Sequence, residues 1–158
     1  MFRGLRLSDV TIQVDEFKNF EDAAWLFEPH WLETELDQDE IPVSVWREAY
    51  EEMWKNGVLH IVSVRAGDEV VGYHVSNVQP HIHHSETIMG FTLAFYLHPK
   101  YRFSGTGIKL LKFVEKSLAE RGVQKFYLTT KKKPDLSRLF EILGYRADEV
   151  TFSKIIGD

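Results

Sequence analysis

Two stretches of this 158-residue chain combine residue types and spacings that can do chemistry. The first is Arg102-x-x-Gly105-x-Gly107. It runs directly into an amphipathic pattern in which Ile108, Leu111, Val114 and Leu118 recur at helical steps. Glycines let a backbone turn tightly and approach a ligand closely. The first N–H groups of a helix lack internal acceptors, and the helix dipole favours negative charge beside them. Arg102 adds a fixed positive fork. The chemistry of such a turn is anion binding, with a pyrophosphate as the natural guest. The same residues serve equally as a tight strand-to-helix turn with no ligand. A dinucleotide fingerprint would need its third glycine at position 110, which is Leu110, and a P-loop would need Gly-Lys-Ser/Thr, which does not follow.

The second stretch is histidine-rich. Four of the seven histidines, His74, His81, His83 and His84, lie between residues 74 and 84, with Glu86 close behind. A side chain with an ordinary pKa near 6.5 suits taking a proton from an ammonium. His83, His84 and Glu86 are therefore candidate catalytic groups, and His81, His30 and Glu33 candidate substrate-binding groups. His-x-His is also a usable zinc pair when joined by His30 and Glu33. The plain alternative is a polar loop with hydrogen-bonded histidines, and no metal site is expected.

The elements that must position these groups follow from periodicity and breakers. Residues 10–14 read as a strand. Asn19 marks a helix start, Pro29 an interruption, and the helix resumes through Trp31 toward Leu36. Pro42 suits the first turn of a second helix, with Trp46, Ala49, Tyr50, Met53 and Trp54 as its apolar stripe and Gly57 as its end. Period two takes over from Val58: strands at 58–65 and 69–79 flank an Ala66-Gly67-Asp68 turn. Pro80 ends the second strand, and 81–84 form a loop. A strand follows from about Glu86 to Leu97, closed by Pro99. After the helix, which Gly122 caps, a strand is expected at 125–130, a last helix from Pro134 to Gly144 and a terminal strand at 149–156. The predicted order is βααβββαβαβ: an α/β (α+β) domain with a mixed, mostly antiparallel sheet and helices on both faces, spanning 1–158.

Arg102-x-x-Gly105-x-Gly107, preceded by Leu97-His98-Pro99-x-Tyr101 and followed by Ile108-x-x-Leu111, resembles the acetyl-CoA-binding motif of the GNAT superfamily of N-acetyltransferases. Leu139-Phe140-Glu141-Ile142-Leu143-Gly144-Tyr145 is similar to the end of that family's fourth helix, and the interval between the two leaves room for one strand. The expected element order matches the family fold. Pro80-His81-Ile82-His83-His84 with His30-Trp31-x-Glu33 further resembles a subgroup found largely in bacteriophage genomes, whose substrates are mostly unknown.

The resemblance implies transfer of an acetyl group from acetyl-CoA to a primary amine, on a small molecule or a protein. Backbone groups of Leu97 and His98 would then bond the pantetheine arm. The Arg102 side chain and the amides of Phe103, Ser104, Gly105, Thr106, Gly107 and Ile108 would hold the pyrophosphate. Ser137 or Arg138 would reach the pantetheine or the adenosine phosphate. The run 131–133 (three lysines) would do the same for the 3′-phosphate, or is simply a solvated loop. Two departures stand out. The tyrosine that protonates the leaving thiolate in many members is Phe140 here, and the expected central strand, 88–97, carries no carboxylate, so Thr92 is its only nonaromatic polar candidate for catalysis. The short tail after Gly144 leaves a sheet edge that a homodimer partner would finish. A catalytically weak or inactive GNAT-fold protein that binds a host or partner protein is the competing class.

Composition sets the outer limits. Zero cysteines exclude disulfides, a thiolate nucleophile and a Cys-based zinc site. A net charge of −5 argues against broad nucleic-acid binding. The acidic excess gathers at Glu33, Glu35, Asp37, Asp39 and Glu40, either a solvated face or a lip attracting a cationic amine. No run of 18 apolar residues suggests a membrane span, and without an apolar signal segment at the start a cytoplasmic location is expected.

Overall fold

The computed structural model describes residues 9–157. Five strands form one sheet in the order β1-β2-β3-β4-β5: β1 Thr11–Asp15, β2 Leu59–Ala66, β3 Glu69–His81, β4 His84–Leu97 and β5 Lys125–Tyr127. Neighbours are antiparallel except β4 and β5, which are parallel. The expected mixed, mostly antiparallel sheet is what the chain builds. Alternation divides β2 between two faces. Val62 and Val64 join Leu110, Val114 and Leu118 of helix α3 (Thr106–Glu120) in one apolar core. On the opposite face Leu26, Val70, Tyr73 and Tyr96 form a second. That face is covered by a 3-10 helix (Phe17–Leu26) and helix α1 (Phe27–Thr34).

Several expected boundaries move, each for a local reason. The segment after Asn19 is a 3-10 helix, and Pro29 lies in the first turn of α1, where a missing N–H has no helical acceptor to lose. Pro42 does not open a helix. Helix α2 is Arg47–Lys55, and Trp46 stands before it, 71% exposed. Pro80 stays within β3, opposite Ile88. Residues 81–84 are no open loop but a tight hairpin turn, with His81 paired to His84. Helix α4 is Ser137–Ile142, so Pro134 precedes it. The terminal strand is absent: residues 145–157 are irregular, and Val150 and Phe152 are exposed. Alternation makes a segment ready to pair, but a strand exists only when an edge accepts it.

Asp15 ties β1 to its neighbours. Its buried carboxylate accepts from Ser63 Oγ (2.6 Å), Asn19 Nδ2 (2.6 Å), the Glu16 amide (2.9 Å) and Arg65 (2.8 Å). Burial alone would raise its pKa, but these donors, Ser63 and Arg65 foremost, hold it at about 2.

Candidate active site

A cleft opens where β4 leaves β5. The two strands pair only over Met89–Phe91 and Lys125–Tyr127. On its other side β4 skips a residue against β3, from Val75↔Ala94 to Ser76↔Thr92, leaving Leu93 unpaired. A bulge of this kind bends a strand and sharpens its twist. The resulting cleft has a volume of about 430 Å³, with 92–97 on one wall, 129–131 and Leu136 on the other, and Gly107 at its border.

The glycine turn is built as an anion site needs it. Gly105 has φ +75°, the left-handed conformation that glycine tolerates best, and it joins a second 3-10 helix, Pro99–Ser104, to α3. The first intrahelical bond here is Lys109 N–H to Gly105 O at 3.2 Å, so the amides of Thr106, Gly107 and Ile108 have no intrahelical acceptor. A Cβ placed on Gly107 would meet no atom within 4 Å. That open space beside unpaired amides fits the phosphates of acetyl-CoA.

Other groups of the expected cradle are engaged elsewhere. The Arg102 guanidinium forms a bidentate pair with Glu33 (2.6 and 2.8 Å), and its Nε donates to Leu97 O at 2.7 Å. It also lies over the Tyr96 ring, 5.4 Å from the centroid. Arg102 is therefore a strut between α1 and β4 and does not stand free for a phosphate. Leu97 O is occupied by that contact, and His98 N–H donates to Val71 O at 2.8 Å. The β4 edge that β5 leaves bare beyond Phe91 is the better source of backbone partners. Ser104 and Thr106 pair their hydroxyls at 2.6 Å, Phe103 is 97% exposed, and Ile108 is exposed at the helix start. Leu136, just before α4, and Leu139 on it line the cleft, whereas Ser137 and Arg138 are exposed and outside it. Phe140 is turned into the core against Tyr145.

A second cavity, about 210 Å³, lies on the other side of α1, between the 3-10 helix, α2 and the sheet. The two cavities share His30, Thr34, Glu35 and Ala94. His30 Nδ1 is 2.7 Å from the Tyr73 hydroxyl, and the ring stacks on Tyr96 with centroids 4.8 Å apart. Burial, reinforced by the positive charge of Lys131, pulls its pKa down to about 4, so the ring is neutral at pH 7. The Thr34 hydroxyl donates to His30 O at 2.9 Å, and Glu35 pairs with Lys131 at 2.6 Å. Tyr73 and Tyr96 were invisible as site residues in the sequence. Each reads there as one more aromatic in an alternating strand, and their register as direct neighbours is what frames His30.

The histidine-rich stretch is not at this junction. His81, His83 and His84 cluster at the tip of the β3–β4 hairpin, with ring centroids 5.3–5.5 Å from His81. From His84 to Tyr96 the strand runs roughly 40 Å at about 3.3 Å per residue. His83, His84 and Glu86 therefore sit too far from His30 to act on a group held there, and His81 does not line the acceptor-side cavity. Nor do these histidines meet His30 and Glu33. Among the described residues no group of three or more His, Asp or Glu is arranged to hold a metal.

Thr92 does line the cleft, but its hydroxyl is committed. It donates to Tyr127 O at 3.0 Å, so the contact with His74 Nε2 at 3.3 Å is a donation from the ring. His74 Nδ1 then accepts from Ser76 Oγ at 3.2 Å. Burial lowers the His74 pKa to about 3, in keeping with that neutral tautomer.

No curated protein matches the chain in sequence. Solved structures match it closely in shape. A ribosomal-protein-alanine N-acetyltransferase from Brucella melitensis biovar Abortus 2308 superimposes with a TM-score of 0.74 at 18% identity, covering 94% of this chain and 99% of that one. The aminoglycoside acetyltransferase meta-AAC0020 from an uncultured soil metagenomic sample, in complex with sisomicin, gives 0.71 at 15% identity, covering 94% and 97%. A predicted acetyltransferase from Clostridium acetobutylicum, with acetyl-CoA, gives 0.71 at 11%, covering 92% and 96%. At such identities the likeness is one of fold. The family model for the acetyltransferase (GNAT) family matches residues 17–145, most of the sheet and all four helices, and the chain belongs to that family.

Proposed function

We propose that this protein moves an acetyl group from acetyl-CoA to a primary amine in a ternary complex, the donor in the larger cleft and the acceptor in the smaller cavity. One observation carries the reading: the two cavities are separate along most of their length and meet at His30, Thr34, Glu35 and Ala94. A transferase needs this geometry, because holding two reactants end to end replaces a bimolecular encounter.

Acetyl-CoA supplies an acyl group already activated as a thioester. The chain's own residues bind, orient and manage a proton. The amides of Thr106, Gly107 and Ile108 and the positive end of α3 hold the phosphates. The bare edge of β4 beyond Phe91 offers backbone partners to the pantetheine arm. His30 is held neutral by burial, so it presents a lone pair and no charge to an entering amine. In the tautomer whose Nδ1–H donates to the Tyr73 hydroxyl oxygen, Nε2 keeps the lone pair that accepts the amine's proton. Glu35 attracts the ammonium form and brings it to the junction.

Thermal unfolding with rising acetyl-CoA tests the donor half. At about 100 times its dissociation constant a ligand adds roughly 2.7 kcal/mol of stability. Thiol release on adding amines tests the transfer. Stabilisation without thiol release from any amine would leave the GNAT-fold binding protein as the better reading, and the absence of both would remove acetyl-CoA from the account.

A further inference from the structure

We infer that the amine accepted here carries a single positive charge on an apolar body about the size of one aromatic ring system. This rests on the transferase reading above. The acceptor cavity is walled by Phe20, Phe27, Val45, Tyr50, Tyr73 and Val75. An apolar cavity of about 150 Å³ already accommodates a benzene ring, and this one is about 210 Å³. Apolar walls favour burial of apolar surface and leave a second buried ammonium without partners.

The carboxylates around the cavity sort in the same direction. Asp15 is saturated by four donors, Arg65 among them. Glu16 pairs with Lys18 at 2.8 Å. Glu33 is taken by Arg102. Glu35 also has a lysine partner, the half-exposed Lys131, but unlike Asp15 and Glu16 it stands where the two cavities meet. The reacting end of this cavity thus has one carboxylate, Glu35, with an apolar chamber behind it. The acidic run expected to form a lip contributes little else: of Glu33, Glu35, Asp37, Asp39 and Glu40, only Glu35 lines this cavity. A polyamine or an aminoglycoside, with several ammonium groups, would have to bury charges against phenylalanine and valine.

The chemistry has two natural sources, a free arylalkylamine or the N-terminal residue of a peptide that begins with phenylalanine. The test uses the full chain. Thiol release at saturating acetyl-CoA is compared for 2-phenylethylamine, the peptide Phe-Gly-Gly, spermidine and kanamycin. Binding of each is followed separately by saturation-transfer NMR without acetyl-CoA. The expected result is a kcat/KM at least tenfold higher for 2-phenylethylamine or Phe-Gly-Gly than for the polycations, the two arms separating free amine from peptide. Val45 lines the acceptor cavity and not the donor cleft, so Val45→Trp should cut that value tenfold while leaving the acetyl-CoA-induced thermal shift intact, which also shows that the variant folds. Preference for spermidine or kanamycin overturns the inference, as does failure of both apolar amines to bind or react. Binding of an apolar amine with no thiol release upholds the cavity's specificity and removes the transferase reading instead.

Discussion

Arg102 and Glu33, 69 positions apart, face one another as a two-pronged ion pair at 2.6 and 2.8 Å, one on the glycine-turn side of the cleft and one on α1. The contact fixes the distance between the helix that carries His30 and the strand end that borders the donor cleft. The carboxyl of Glu33 is held below its usual range by the Arg102 hydrogen bonds.

Arg102→Ala and Glu33→Gln should each lower stability by about 1–2 kcal/mol, the lower part of the range for a charged hydrogen bond because both side chains are part-exposed. The double variant should cost less than the sum, since the pair is one interaction. Chemical denaturation of the four proteins checks this. Acetyl-CoA affinity that drops only in Arg102→Ala would assign the guanidinium to the phosphates after all.

Gly107→Ala should separate folding from donor binding. The added methyl meets no atom within 4 Å and lies in a helix, where alanine is favoured by up to about 1 kcal/mol over glycine. Stability should hold or rise slightly, while the acetyl-CoA-induced thermal shift shrinks because the methyl occupies the open space beside the amides. An unchanged shift would move the phosphate site elsewhere.

His30→Phe keeps a ring against Tyr96 but removes the lone pair. Turnover should fall roughly 10²-fold or more, the lower range for losing a proton acceptor, with acetyl-CoA affinity little changed. The pH profile is a second check. With a folded pKa near 4, His30 is neutral above about pH 5, so the rate should show no His30 protonation step around 6.5.

His60 and His74 are buried and predict acid sensitivity. Burial lowers their pKa values to about 4 and about 3, while the unfolded chain keeps values near 6.5. Between those limits the unfolded state binds more protons, so stability is full above pH 6.5 and declines as pH falls. Each histidine contributes a slope approaching 1.4 kcal/mol per pH unit. Urea unfolding from pH 7.5 to 4.5 measures it, and His60→Gln should remove about half of this pair's slope. His60 Nε2 donates to Ser117, whose own hydroxyl donates to Val114 O, and Nδ1 has no partner among the described residues. A slope unchanged by that substitution would place the acid sensitivity on other groups.

Local chemistry was legible in the sequence. Pro99, Gly105 and the helical spacing from Ile108 to Leu118 each state a backbone demand that their own neighbours satisfy, and the structure has a strand, a turn and a helix where those demands place them. Period two in 58–97 likewise produced the antiparallel core of the sheet. What failed were inferences that treat a residue as acting alone. Pro80 could not end a strand whose pairing continues past it. The alternation in 149–156 could not make a strand without an edge to join. A crowd of histidines at 81–84 could not be a reaction centre at the far end of a long hairpin.

The sequence by itself determined the order of elements as far as α4 and the glycine turn that opens α3, and it drew His30 and Glu33 of α1 to notice. Tertiary structure alone decided what each of them does. The skipped residue at Leu93 opens the cleft, the pairing of Tyr73 with Tyr96 builds the floor beneath His30, and Arg102 turns inward to Glu33. The physical reason is range. Turns and periodicities are settled by bonds to near neighbours, but burial, ion pairing and cavity shape depend on which distant segments fold against one another.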